Sequence, residues 1–165
     1  PLFVRDVSND DKIADTMLSL LTESNKLKDY VDKLKNKSEK TLKWIHIDAH
    51  NAVQDFPILS LDELNDITLG CFQIKQAKRY TMEHLSKNGS FFVQLAKQKK
   101  NILKAQLQTR HRSGVLYNLY IQYSNNKING WYCQCRSGSR VIGCCSHIAA
   151  VIWYLGFARH KPQQL

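Results

Sequence analysis

Apolar residues are spaced differently in the two halves of this chain. Before about residue 90 they recur every three or four positions, which is the spacing of an amphipathic helix. This spacing predicts helices over residues 10–27 and 72–85. Ser60 and Glu63 have the form of a capping box, which predicts that a further helix begins directly after Ser60. Apolar and polar residues alternate over 44–48, which predicts a strand there.

In the second half, apolar positions alternate with polar ones, which is the pattern of strands with one buried face. The alternation predicts strands over residues 103–107, 115–123 and 128–135, joined as a small antiparallel meander. A continuous apolar run over 147–155 then predicts a buried helix that ends at Gly156. The predicted fold is therefore α+β, with N-terminal helices followed by a small antiparallel sheet and a C-terminal helix.

Three thiols and one imidazole lie at the junction of the last predicted strand and the last predicted helix. Cys133 and Cys135 are separated by one residue, and so are Cys145 and His147. Together they make a complete set of four ligands for tetrahedral zinc, an ion that favours thiolate and imidazole. Four protein ligands leave no position open for a substrate or an activated water, so we expect one structural zinc ion.

The predicted elements can bring these four side chains together. Residues i and i+2 of a strand point to the same face, so Cys133 and Cys135 can face one ion. Residues two apart in a helix are splayed by about 200°. We therefore expect Cys145 or His147 to lie in the non-helical cap at the start of the last helix.

Other interpretations of these cysteines remain open at this point. Reduced cysteines can pack in a core as small hydrophobic residues. In a secreted protein they can also form disulfides, although the spacing and the absence of a secretory signal pattern favour a reducing compartment. Cys144 offers a competing ligand pair with His147. We expect Cys145 to be the ligand and Cys144 to be a packed or spectator thiol, and the pattern assigns no role to Cys71.

The pattern Cys133-x-Cys135, nine further residues, then Cys145-x-His147, resembles the SWIM-type zinc finger, whose pattern is C-x-C followed by C-x-H. The segments over 69–77 and 143–156 are also similar to the C-terminal part of DDE transposase-like proteins. In those proteins a SWIM finger follows the catalytic domain. The resemblance implies a zinc-stapled ββα unit in a transposase-like protein, with a preceding transposase-like domain as its partner.

Spacing and resemblance together divide the chain into three predicted parts. Residues 1–58 form a helical and charged segment, which we expect to be a linker or the tail of a preceding domain because the chain begins at Pro1 rather than at a methionine. Its stretch over 26–40 is either an exposed helix or a partly ordered linker. Residues 59–100 form a helical region, and residues 101–160 hold the strands and the zinc finger.

The net charge of +10 is distributed unevenly along the chain. Residues 1–70 hold 9 Lys and Arg against 13 Asp and Glu, whereas residues 71–165 hold 15 against the single acid Glu83. Such an asymmetry predicts a nucleic-acid partner bound through its phosphates, and we expect DNA rather than RNA. The alternatives are a solvated basic face and arginines that compensate the charge of the zinc site. The candidate nucleic-acid-binding residues are Lys97, Lys99, Lys100, Lys104, Arg110, Arg112, Arg136 and Arg140.

We expect no enzymatic activity from this chain. Two-metal phosphoryl transfer needs several carboxylates that converge from a β/α scaffold, and the acids here are concentrated before residue 70 in a helical, charged region. The rival to nucleic-acid binding is a zinc-dependent protein interaction module, in which the apolar helix with Trp153 and Tyr154 docks on a partner. No apolar run is long enough to span a membrane, so we expect no membrane partner. Because the cysteine spacing favours a reducing compartment, we expect an intracellular location, and we expect it to be nuclear.

Overall fold

The computed structural model describes residues 22–33, 44–48, 53–69, 71–84, 92–96, 99–108, 115–136 and 144–161. Within these ranges the chain forms four helices and a five-stranded antiparallel sheet, so the predicted α+β class is confirmed. The helices are α1 over residues 22–33, α2 Leu61–Thr68, α3 Cys71–His84 and α4 Ser146–Gly156, after which Ala158–His160 forms a short 3-10 helix. The strands are β1 Trp44–Asp48, β2 Phe92–Ala96, β3 Lys99–Gln108, β4 Leu116–Ser124 and β5 Lys127–Cys133.

The five strands lie in chain order, and each pairs antiparallel with the next. The strands β3, β4 and β5 form the predicted meander, in which Lys104 lies opposite Tyr120 and Tyr120 opposite Tyr132. The strands β1 and β2 extend the sheet beyond β3, with Trp44 opposite Ala96. The sheet thus takes strands from all three predicted parts of the chain, and the division at residues 58 and 100 stays a prediction.

Helix α4 lies between the sheet and the helices α2 and α3. All of its residues from Ile148 to Gly156 are buried, as expected for a helix that is apolar around its whole circumference. It contacts β4 and β5 on one side and α2 and α3 on the other. The hydroxyl of Thr81 on α3 donates a hydrogen bond of 3.3 Å to the carbonyl of Ala150 on α4. These contacts place the start of α4 next to the end of β5.

Helix α1 packs on the opposite face of the sheet. Its residues Leu27 and Val31 form a small apolar cluster with Ile102 and Tyr120. The residues next to these two in β3 and β4, such as Leu103 and Ile121, point to the other face of the sheet and belong to the main hydrophobic core, which also contains α4. The predicted end of the first helix near residue 27 is wrong, because residues 22–33 form one continuous helix. The apolar stripe of that helix continues to Val31 and supplies its contact with the sheet.

Helix α2 begins with the predicted capping box. The Ser60 hydroxyl accepts a hydrogen bond from the Glu63 amide at 3.2 Å, and the Ser60 amide donates to the Glu63 carboxylate at 2.7 Å. The segment before α2 is joined to the end of α4, since the Leu59 amide donates to the Gly156 carbonyl at 2.8 Å. None of the helices in the described ranges is long and apolar enough to cross a membrane.

Candidate metal centre

The first two cysteines lie at and just beyond the end of β5. The strand ends at Cys133, and the next residue stays attached to β4, because the Gln134 amide donates to the Asn118 carbonyl at 3.1 Å. The Gln134 side chain accepts from the Asn118 side chain at 3.0 Å. This pair of bonds holds Gln134 towards β4, and Cys133 and Cys135 are both buried in the main core. The i, i+2 placement predicted from the sequence is therefore present.

The other two residues of the motif lie at the start of α4. Cys145 is the N-cap residue, with extended backbone angles of φ −73° and ψ 164°. Ser146 and His147 are the first residues of the helix. Two residues that are two positions apart within a helix point in very different directions. Cys145 lies outside the helix, so this restriction does not apply to it and it can face the same ion as His147. The expectation that one of the two residues lies in the cap is confirmed.

The structure brings these four predicted residues into one cluster. One ligand atom from each of Cys133, Cys135, Cys145 and His147 can be chosen so that all four lie within 4.8 Å of one another. Three thiols and one imidazole form a donor set that fits tetrahedral zinc, and the spacing is close enough to hold one ion. A cluster with four protein ligands is coordinatively closed, so the zinc it holds has a structural role.

The competing interpretations of the cysteines have different outcomes. All four cysteines between residues 133 and 145 are free, so the described part of the chain contains no disulfide among them. Cys144 is buried, with 2% of its surface exposed, and it lies outside the cluster. Its burial agrees with the expectation that Cys144 is a packed thiol, which behaves as a small apolar residue. The side chain of Cys71 lies outside the described residues.

Hydrogen bonds and burial raise the pKa of two of the clustered thiols, those of Cys133 and Cys145. Hydrogen bonds with Cys135 and Cys145, together with burial, raise the pKa of Cys133 far above its usual range. A hydrogen bond with Cys133 lowers the pKa of Cys145, but the bond with Cys135 and burial outweigh it and raise the pKa to about 12. Zinc binds thiolates, so metal must displace these protons and its affinity rises with pH.

Two aromatic rings enclose the imidazole of His147. The ring of Tyr80 on α3 lies 5.2 Å from the imidazole centroid at 83°, and the ring of Tyr117 on β4 lies 5.3 Å from it at 69°. The Tyr80 hydroxyl is also 3.1 Å from Nε2 of His147. Sequence reasoning missed both tyrosines, because neither is near the cysteine motif. The apolar pattern places Tyr80 on the buried side of its predicted helix and Tyr117 on the buried side of its predicted strand, but it indicates no contact of either residue with His147.

The structure describes few of the side chains predicted to bind nucleic acid. Four of the eight residues lie outside the described ranges, namely Lys97, Arg110, Arg112 and Arg140. Lys99 and Lys100 begin β3. Lys104 is partly buried, with its ammonium 5.4 Å from the centroid of the Trp44 ring. Arg136 is exposed and follows Cys135 directly in the chain.

Comparison with known proteins supports the zinc site. The family model of the SWIM zinc finger matches residues 110–156, a segment that runs from before β4 to the end of α4 and contains all four cluster residues. Comparisons with curated proteins and with solved structures gave no match. Residues 110–156 are thus similar to SWIM zinc fingers. With the Cys₃His cluster, this similarity makes the C-terminal part of the chain a zinc-binding module.

Proposed function

We propose that this chain is a zinc-stabilised module that binds nucleic acid, and DNA in preference to RNA. The observation that carries the proposal is the charge of residues 71–165, which hold 15 Lys and Arg against one acid. Basic surfaces of this kind bind phosphates and release condensed counterions, which gives affinity that depends strongly on salt and little on base sequence. An excess of 14 positive charges in residues 71–165 is larger than solubility alone requires.

The described side chains of this half support an excess of exposed positive charge. The single acid of this half, Glu83, has its carboxylate 3.4 Å from the guanidinium of Arg79 on the same helix, so its charge is offset locally. Lys75, Lys78 and Arg136 are exposed. Arg136 follows the cluster residue Cys135 in the chain, so its charge is available to offset the net negative charge of three thiolates and one zinc ion.

The zinc in this proposal organises the fold and takes no part in chemistry. A closed Cys₃His shell has no site for an activated water, which supports a module without enzymatic activity. We also propose that the module is part of a transposase-like protein, as the SWIM resemblance implies, and that it is located in the nucleus. In that setting the module would hold nucleic acid near a separate catalytic domain.

The decisive experiment measures the affinity of the zinc-loaded chain for duplex DNA and RNA at several salt concentrations by fluorescence anisotropy. Reversing Lys97, Lys99 and Lys100 to Glu should weaken binding to all sequences alike. It should also flatten the slope of log affinity against log salt by about 0.9 for each phosphate that the variant no longer neutralises. DNA should bind more tightly than RNA.

The matched control reverses three exposed lysines of α1, Lys26, Lys28 and Lys33, which changes the net charge by the same amount. Because these residues belong to the acidic half, we expect a smaller loss of affinity and an unchanged slope. Equal losses in the two triple variants would mean that net charge alone sets the affinity. A zinc-loaded chain that binds neither DNA nor RNA at low salt would refute the proposal.

A groove on the helical side favours protein interaction as the second candidate function. It has a volume of about 330 Å³ and is bordered by residues of α2, α3 and α4 and by Phe157. Leu61, Ile74 and Trp153 supply an apolar floor, and Lys75 and Lys78 supply positive charge. If the zinc-loaded chain fails to bind nucleic acid, this groove becomes the leading candidate for a contact surface, and an apolar partner segment with carboxylates would fit it.

A further inference from the structure

We propose that Tyr80 is a positioning residue of the zinc site, which holds Nε2 of His147 so that Nδ1 binds the metal. This inference concerns the zinc cluster alone and does not depend on nucleic-acid binding. Tyr80 lies on α3, well before residue 110, where the similarity to SWIM fingers begins. The zinc site therefore extends into a helix that contributes no ligand.

The two nitrogens of the His147 ring face different partners. Nε2 lies 3.1 Å from the Tyr80 hydroxyl, within hydrogen-bond distance. Nδ1 lies 4.0 Å from the sulfur of Cys133, which is one of the three thiols of the cluster. A ligand atom must face the thiols to share an ion with them. The geometry thus makes Nδ1 the donor to zinc and leaves Nε2 for the tyrosine.

The hydrogen bond and the metal bond select the same tautomer. A neutral imidazole has one N–H and one nitrogen with a free lone pair. When Nδ1 gives its lone pair to zinc, Nε2 carries the proton and donates it to the phenol oxygen. Histidine ligands commonly donate the second ring N–H to such a partner, which fixes the tautomer and the ring orientation.

The position of Tyr80 is itself fixed by packing. Its side chain is buried, with 6% of its surface exposed, and it belongs to the main core. The next residue, Thr81, is hydrogen-bonded to the Ala150 carbonyl of α4, one turn after His147. This bond ties α3 to α4 beside the metal cluster. The hydroxyl of Tyr80 is therefore held in place before the metal binds.

The test compares Tyr80→Phe with Tyr117→Phe in the full chain. Both variants keep an aromatic ring beside His147, but only the first removes the hydroxyl that contacts Nε2. In a competition assay with a coloured chelator, Tyr80→Phe should weaken zinc binding by roughly 10–100-fold. Tyr117→Phe should change it much less. Equal effects of the two variants would overturn the proposal.

An NMR experiment on the zinc-loaded wild-type chain tests the tautomer without any substitution. Correlation of the ring nitrogens of His147 with its ring protons should show a proton on Nε2 and metal on Nδ1. In Tyr80→Phe the Nε2 proton should exchange faster with water. Coordination through Nε2 in the wild-type chain would refute the assignment directly.

A double-mutant cycle separates positioning from packing. In His147→Cys the fourth ligand is a thiolate, which still allows tetrahedral zinc but has no second nitrogen to hold. Adding Tyr80→Phe to this variant should therefore leave its zinc affinity unchanged. If Tyr80 only stabilises α3, the loss should be the same with His or Cys at position 147, and the positioning role would be ruled out.

Discussion

The hydroxyl of Tyr120 shows how burial between α1 and the sheet changes the chemistry of a single residue. Its ring stacks on Tyr132 at 6.2 Å and contacts Trp44 at 5.9 Å. Burial, with smaller contributions from the charges of Tyr132 and Asp32, raises the pKa of Tyr120 to about 12. A tyrosine in the unfolded chain ionises near pH 10. The folded protein therefore favours the neutral phenol.

This raised pKa predicts a loss of stability at alkaline pH. The contribution of Tyr120 to the free energy of unfolding is fully present below about pH 10 and declines as the pH rises to about 12, because the unfolded chain then releases a proton that the folded chain keeps. In denaturant titrations at about pH 8 and about pH 11, Tyr120→Phe should lose less stability than the wild-type chain. Tyr123, whose pKa is also about 12, contributes in both proteins. Identical losses would contradict the prediction.

The metal ligands and their neighbour Tyr80 differ in how well the sequence predicts them. Cys133, Cys135, Cys145 and His147 are predictable because their spacing matches the geometry of a strand end and a helix cap. The contact of Tyr80 with His147 joins residues 67 positions apart. It exists only because α3 packs on α4, and no local pattern encodes that packing.

The end of α4 has little tolerance for added volume. A methyl group on Gly156 would lie 2.8 Å from Cδ1 of Leu59 and 3.3 Å from the Pro57 carbonyl oxygen. Leu59 is buried, so it has little room to move away. The sequence predicted Gly156 only as the end of the helix. The structure adds that the chain before α2 crosses α4 at this point, where a side chain does not fit.

Gly156→Ala should therefore destabilise the protein. Overpacking costs about 1–3 kcal/mol, and the gain of about 0.5–1 kcal/mol from Ala in a helix interior is smaller at the last residue of α4. Denaturant titration should show a net loss near 1 kcal/mol. Adding Leu59→Ala should cost less in this variant than in the wild-type chain, since it removes the clash. Additive losses would argue against the clash.

The strands also differ in how well sequence predicts them. The alternation in β3, β4 and β5 is long enough to identify each strand, and the turn between β4 and β5 is short. The strand β2 has only five residues, and its alternation alone does not define it. Its pairing with β1 joins Trp44 to Ala96 across two intervening helices. Such distant pairing follows from the packed fold rather than from local spacing.

In the whole molecule, the zinc ligands lie where the sheet meets the helical layer. Cys133 ends β5, Cys145 caps α4, and His147 contacts Tyr80 of α3. The sheet is linked in turn to α1, because the Trp131 amide donates to the Ser24 hydroxyl at 3.1 Å. The metal therefore connects elements that come from distant parts of the sequence, and its removal should affect more than the matched segment 110–156.

Loss of zinc should reduce hydrogen-exchange protection in α3 together with α4 and β5, although α3 holds no ligand. Structural zinc contributes about 10–16 kcal/mol in finger peptides, which is comparable to the entire stability of about 5–15 kcal/mol of a typical domain. Cys145→Ala should lose the metal and expose the amides of all three elements. Cys144→Ala, which removes the neighbouring buried thiol outside the cluster, should keep the metal and the protection. If α3 stays fully protected in Cys145→Ala while α4 exchanges, the contact between Tyr80 and His147 does not couple the helix to the metal.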